Sequence, residues 1–191
     1  LYLVEAFKTA REVGGKDLML IHNQYGNSTP DGKVAEATFK LYEAMKYEGI
    51  PVDDVGLQMH LYLSEDGNVT ENKIIPWTQE KFASMLKRYS DAGIKVHITE
   101  FDVYITKQPA TAALLEKQGE IYRQVLETAI KSPAVKTFKT WGFTDKYSWE
   151  QKYSWEQKNL NGTPLLFDKE FAPKPAYVEQ VKMLKELAGK K

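Results

Sequence analysis

Glu100 and Asp102 stand one residue apart, just past the apolar run Ile94–Ile98, and His60 stands just past another, Val55–Met59. If both runs are strands, alternation puts Val96, Ile98, Glu100 and Asp102 on one face and His97, Thr99 and Phe101 on the other. By the same rule Gly56, Gln58 and His60 share a face. A histidine from one strand could then lie between two carboxylates of its neighbour and hold one of them ionised and oriented. That arrangement is useful if Glu100 attacks an electrophilic carbon. The plainer alternative is a buried His–Glu pair that only joins two strands. Metal binding competes for the same residues, but no HExxH or His-x-His spacing supports it, and no metal is expected. His22 and His97 are isolated, and His97 is expected as a satisfied core histidine.

Further polar and aromatic groups follow the other apolar runs. Leu18–Ile21 is followed by His22, Asn23, Gln24 and Tyr25; Val135–Trp141 closes on Trp141 and leads to Asp145, Ser148 and Trp149. Exposed aromatic faces near carboxylates suit sugar rings, whose C–H faces stack on them. Trp141, Trp149 and Trp155 are candidates for that role, whereas Trp77, just after Pro76, is expected to pack. The Gly-Gly at 14–15 lies between a helix and a strand, on the wrong side for a phosphate loop, and there is no GxSxG elbow.

The elements that position these groups alternate. The four runs Leu18–Ile21, Val55–Met59, Ile94–Ile98 and Val135–Trp141 read as strands. Between them, residues 33–48 carry a stripe of Val34, Ala37, Phe39, Leu41, Ala44 and Met45. Residues 79–91 carry Phe82, Met85, Leu86 and Tyr89. Residues 111–131 carry Leu114, Leu115, Ile121, Tyr122, Val125 and Ile130. A last helix is expected over 175–188, with Pro175 in its first turn. Gly14–Gly15, Gly49 and Gly93 fall where helices end. The first residues, LYLVEAFKTAREVGG, read as a helix already under way, not as a signal peptide. Alternation of this kind implies parallel strands with crossover helices. Either a small open α/β sheet or four units of a (β/α)8 barrel fits, and chemistry then sits at the carboxyl ends of the strands.

Composition narrows the classes. The 191 residues carry 26 Lys+Arg against 26 Asp+Glu and no cysteine. Balanced, interspersed charge gives no footprint for nucleic acid, and the lack of thiols excludes disulfide frameworks and cysteine zinc sites. No apolar run reaches the ~20 residues of a membrane helix, so no membrane partner is expected. The hexapeptide KYSWEQ at 146–151 recurs at 152–157. Six residues fit no solenoid period, and the duplication is expected to lengthen one loop at little entropic cost.

HNQYGN (22–27), GLQMH (56–60), HITEFDV (97–103), WGFTDKYSW (141–149), and PLLFD with PKPAY (164–168 and 173–177) occur in this order. Together they resemble the C-terminal half of the catalytic domain of glycoside hydrolase family 10 endo-1,4-beta-xylanases, over essentially all of residues 1–191. The resemblance implies an α/β fold comprising the fifth to eighth strands of a (β/α)8 TIM barrel, hydrolysis of xylan with retention, and no cofactor. It implies Glu100 as nucleophile, His60 as the histidine hydrogen-bonded to it, and Asp102 behind that histidine. Asn23, Tyr25 and Gln58 would line the sugar cleft, Trp141 would lie under the sugar, and Trp149 would cover it. Trp155 competes for the covering role through the duplication. Where the family usually reads Asn-Asp-Tyr-Asn, this chain has Asn23, Gln24, Tyr25 and Gly26.

One absence weighs more. The family's acid/base lies in an Asn-Glu motif at the end of the fourth strand, and no such dipeptide occupies that place here. Either a second chain supplies strands one to four, or two copies of this one associate, or these residues are a fragment of a longer product; the expected partners are therefore such a chain or copy, beside xylan or xylo-oligosaccharide. This chain alone is expected to turn over almost nothing. The alternative is a non-catalytic carbohydrate-binding or assembly module derived from a half barrel. Family habit implies a secreted, extracellular protein, with an intracellular one as the second case.

Overall fold

A computed structural model describes residues 2–149 and 162–189. Their chain order is α1 (Tyr2–Gly14), β1 (Ile21–Gln24), α2 (Lys33–Tyr47), β2 (Asp54–Leu57), β3 (His60–Leu63), β4 (Val69–Glu71), β5 (Ile75–Pro76), α3 (Gln79–Asp91), β6 (Val96–Ile105), α4 (Ala112–Lys131), β7 (Val135–Thr140) and α5 (Pro175–Ala188). The expected helices form because local signals agree. Thr78 accepts a hydrogen bond from Lys81 N at the start of α3, and Thr111 accepts one from Leu114 N at the start of α4. Pro175 opens α5. Gly49 and Gly93 take φ of +67° and +71° just past α2 and α3.

The sheet is a parallel ladder with an antiparallel excursion. β1 pairs β2, β2 and then β3 pair β6, and β6 pairs β7, all in parallel. β3, β4 and β5 form the antiparallel part, which the sequence reading did not foresee. The long β6 is central, meeting β2 along its first half and β3 along its second. Among the described residues, β1 pairs only β2 and β7 pairs only β6, so the sheet is open at both. Val55, Leu57, Val96, Ile98, Phe101 and Val103 are fully buried with Phe82, Met85, Tyr122 and Val125 of the helices. The open α/β sheet is thus the one expected of a partial barrel. No described helix is long and apolar enough to cross a membrane.

Three expectations need correction. The first strand is not Leu18–Ile21: Leu18 and Met19 are exposed, Leu18 O accepts from Arg11 in the turn after α1, and pairing to β2 begins only at Ile21. On α2 the buried stripe is Ala35, Thr38, Phe39, Tyr42 and Met45, with Leu41 outward; Tyr42 and Thr38 displace the smaller alanines of the expected stripe. On α4, Ile130 is half exposed. The second copy of the hexapeptide, and Trp155 with it, lie outside the described residues.

Candidate active site

β6 does not alternate strictly. Between Ile98 and Asp102 it has three residues, while the neighbouring rung has only Gln58 and Met59 between Leu57 and His60. The β7 side shows the same excess, with Ile98 opposite Phe138 and Phe101 opposite Thr140. This extra residue is a bulge. Its effect is visible in the side chains: Thr99 Oγ1 donates to Asn23 Oδ1 at 2.8 Å, and Asn23 Nδ2 donates to Glu100 Oε1 at 2.8 Å. Thr99 and Glu100 therefore share one side, correcting the expectation that they face apart. Val96 and Ile98, expected beside Glu100, are fully buried in the core with Phe101, which packs on Tyr122 of α4.

His60 is placed by the break in its own strand. Met59 is fully buried with φ of +62°, a left-handed conformation strained for a side chain of its size. His60 opens β3 directly opposite Asp102. Its Nδ1 lies 2.9 Å from Asp102 Oδ1 and its Nε2 lies 3.3 Å from Glu100 Oε2. An ionised carboxylate only accepts, so two of them call for donors at both ring nitrogens. Burial by itself pulls the His60 pKa down, but the Asp102 hydrogen bond and the charges of Asp102 and Glu100 outweigh it, leaving His60 above the ordinary histidine value. Asp102 tolerates near-complete burial because its other oxygen is used as well, accepting from Trp149 Nε1 at 3.1 Å.

Two indoles stand edge-on to the imidazole. The Trp149 ring is 5.8 Å from His60 at 62°, and the Trp141 ring is 6.5 Å away at 78°. Trp141 keeps 46% of its surface exposed, which leaves an aromatic face beside the carboxylates. Asn23 and Tyr25 are exposed at the end of β1. Gln58 is half-buried, and its backbone N–H donates to Gln24 O, tying two strand ends together. The structure thus brings Glu100, His60, Asp102, Asn23, Trp141 and Trp149 into one cluster, with Gln58 and Tyr25 at its rim. Thr99 and Gly56 join it unforeseen. A Cβ on Gly56 would lie 2.6 Å from Asn23 Oδ1, so only glycine leaves room for the Asn23 side chain.

Below the cluster the same side stays polar. His97 Nε2–H donates to Asp54 at 2.9 Å, and Thr137 Oγ1 lies 3.0 Å from Nδ1. His97 is the satisfied, buried histidine expected, but on the side of Glu100.

The sequence profile described as Glycosyl hydrolase family 10 matches residues 1–183. The chain belongs to glycosyl hydrolase family 10. Endo-1,4-beta-xylanase B of Thermotoga neapolitana is 30% identical over 185 residues, covering 97% of this chain and 49% of that protein. The crystal structure of native xylanase 10B from Thermotoga maritima superposes with a TM-score of 0.82 at 30% identity, covering 100% of this chain and 53% of that one. Xylanase 10B from Thermotoga petrophila, solved in complex with xylobiose, gives a TM-score of 0.80 at 31% identity, covering 97% and 51%. The chain spans about half the length of the curated relatives it matches.

Two supports of this family 10 site were not legible in the sequence. Glu71 of β4 is fully buried, and its Oε2 accepts from Ser28 N at 3.1 Å and Ser28 Oγ at 2.7 Å, clamping the loop that follows Asn23 and Tyr25. Burial pushes the Glu71 carboxyl up despite these donors. Lys174 Nζ donates to Asp145 Oδ2 at 2.9 Å and to the carbonyls of Thr163 and Leu165 at 2.7 Å each. Asp145 Oδ1 accepts from Leu165 N. This buried pair fastens the Trp149 loop to the segment entering α5. The partners of both clamps stand tens of residues apart, and nothing in local spacing marks them.

Proposed function

We propose that this chain is the catalytic half of a retaining endo-1,4-beta-xylanase, with Glu100 as its nucleophile. The observation that carries this reading is the fixing of both Glu100 oxygens, one by Asn23 Nδ2 and the other beside His60 Nε2. A carboxylate held at both oxygens has one orientation to present to a sugar carbon, and orientation is a large part of such catalysis. In the first step a Glu100 oxygen bonds to the anomeric carbon as the bond to the leaving oxygen breaks. That oxygen takes a proton from a second carboxyl group. In the second step water, deprotonated by that group, displaces Glu100. The two carboxyls of such a pair lie ~5–5.5 Å apart. Asp102 is engaged by His60 and Trp149, so on this reading the acid/base belongs to the half that carries strands one to four, whether a second chain or the rest of a longer product supplies it; a second copy of these residues would add a second nucleophile and no acid/base. Trp141 and Trp149 stack and cover the sugar, and Asn23, Tyr25 and Gln58 contact its hydroxyls.

The test is complementation. The chain is refolded with the amino-terminal half of a family 10 xylanase and treated with a 2-deoxy-2-fluoro xylobioside, which accumulates the covalent intermediate. Mass spectrometry of peptides is expected to find the sugar on Glu100, and Glu100→Ala is expected to abolish both the adduct and xylan hydrolysis. The isolated chain is expected to be at least about 10²-fold slower, the usual worth of general acid–base help. An adduct elsewhere, or full hydrolysis by Glu100→Ala, overturns the reading.

A further inference from the structure

Beyond the cluster around His60, the two loops at this end of the sheet present a second set of rings. Phe143, Tyr147 and Phe171 are 55%, 72% and 45% exposed. Phe171 lies 6.1 Å from Phe143 at an interplanar angle of 30° and 6.4 Å from Tyr147. Lys146 Nζ sits 5.1 Å from the Phe171 ring centre and 5.6 Å from that of Tyr147. Behind them, Phe167 joins Phe143 to Tyr177 of α5. Exposed, contiguous rings on a rigid base are uncommon without a ligand or partner.

The base is rigid for identifiable reasons. Asp168 Oδ1 accepts from Glu170 N and Ala172 N, closing the turn that carries Phe171. Thr144 Oγ1 donates to Asp168 O at 2.6 Å, joining that turn to the Tyr147 loop. The buried Lys174–Asp145 pair lies beneath both. Phe171 itself has φ of +65°, a conformation that glycine adopts freely and a large side chain does not. The strain is not returned as core burial, since almost half the ring faces solvent.

We infer that this aromatic patch is a binding surface for a neutral β-linked polysaccharide chain, separate from the cleft at Glu100. Ring faces stack on the C–H faces of pyranoses, and the flanking charges cancel, with Lys146 and Lys169 against Asp168 and Glu170. An uncharged polyol fits that balance better than an acidic polymer. The patch is continuous with the loop that bears Trp141 and Trp149. It would hold the same xylan that the cleft acts on, so it rests on the xylanase reading, yet the two fail separately. Adduct formation at Glu100 needs the missing half, whereas binding at the patch is read on this chain alone.

The full chain is run in native gels containing soluble β-1,4-xylan, and in parallel gels containing an α-1,4-glucan. Retardation is expected in xylan only. Phe171→Gly combined with Tyr147→Ala is expected to weaken binding about fivefold, as loss of ring stacking implies. Its melting temperature should be unchanged or raised, because glycine relieves the left-handed strain. Tyr147→Ala alone, at a highly exposed position, gives a second reading with the backbone untouched. Absence of retardation, equal retardation in both polysaccharides, or retention of full xylan binding by both variants overturns the proposal. So does a drop in self-association on substitution with xylan binding intact, which would make the patch a protein contact.

Discussion

At the scale of single residues, His60 is the most informative group. Its pKa is raised because two carboxylates outweigh burial. The sign for stability follows from linkage. Below the unfolded value His60 contributes its full stabilisation, and that contribution is lost as pH rises through the higher folded value. NMR titration of the imidazole is expected to show a midpoint above that of an exposed histidine, and Asp102→Asn should move it down. A second expectation concerns Gly56. Alanine there drives Cβ into Asn23, so Gly56→Ala should cost about 1–3 kcal/mol, the range for overpacking, read by calorimetry. It should also release Glu100 Oε1, slowing adduct formation in the complemented enzyme. Residue types were the most legible part of this site. Glu100, His60 and Asp102 were named by their positions at strand ends, and Asn23 and Trp149 by the motifs around them. Thr99 was misassigned because alternation assumes an unbroken strand.

At the scale of elements, the two clamps decide how loops hold the site. Lys174 and Asp145 are each shifted by burial away from their charged forms, Lys174 down and Asp145 up, yet both are fully engaged in hydrogen bonds. Buried pairs of this kind contribute little net stability but cost much when broken. Lys174→Met is expected to lower stability by about 3–5 kcal/mol, measured by urea unfolding, and to raise hydrogen exchange across 142–149. Glu71→Ala leaves Ser28 N and Oγ without their acceptor and should cost about 2–3 kcal/mol, with faster exchange confined to residues 26–29. Helices were legible because their apolar spacing, caps and Pro175 agree. β1 was misplaced because three of its four residues, His22, Asn23 and Gln24, are polar, so the apolar run before it was the louder signal. The excursion β3–β5 was invisible, since strands of two to four residues carry too little pattern.

At the scale of the molecule, the open edges matter most. Among the described residues β1 and β7 each leave one side of the strand unpaired, and such edges template pairing with another chain. Sedimentation velocity of the isolated chain is expected to show association that grows with concentration and disappears when the amino-terminal half is added in equal amount. Parallel topology was legible because strand and helix alternate whatever the exact boundaries, but alternation left an open sheet and a half barrel equally possible, and only the family motifs chose the half barrel. The additional residue in β6 has a consequence for how high the Glu100 carboxylate stands. Removing Thr99 would let the strand run evenly, and the carboxylate would sink by one step, about 3.3 Å, toward the Asp54–His97–Thr137 layer. The height of the Glu100 carboxylate above that layer is thus set within a single strand, like a shim under a bearing. Nothing that packs over the sheet from outside β6 has purchase on that height.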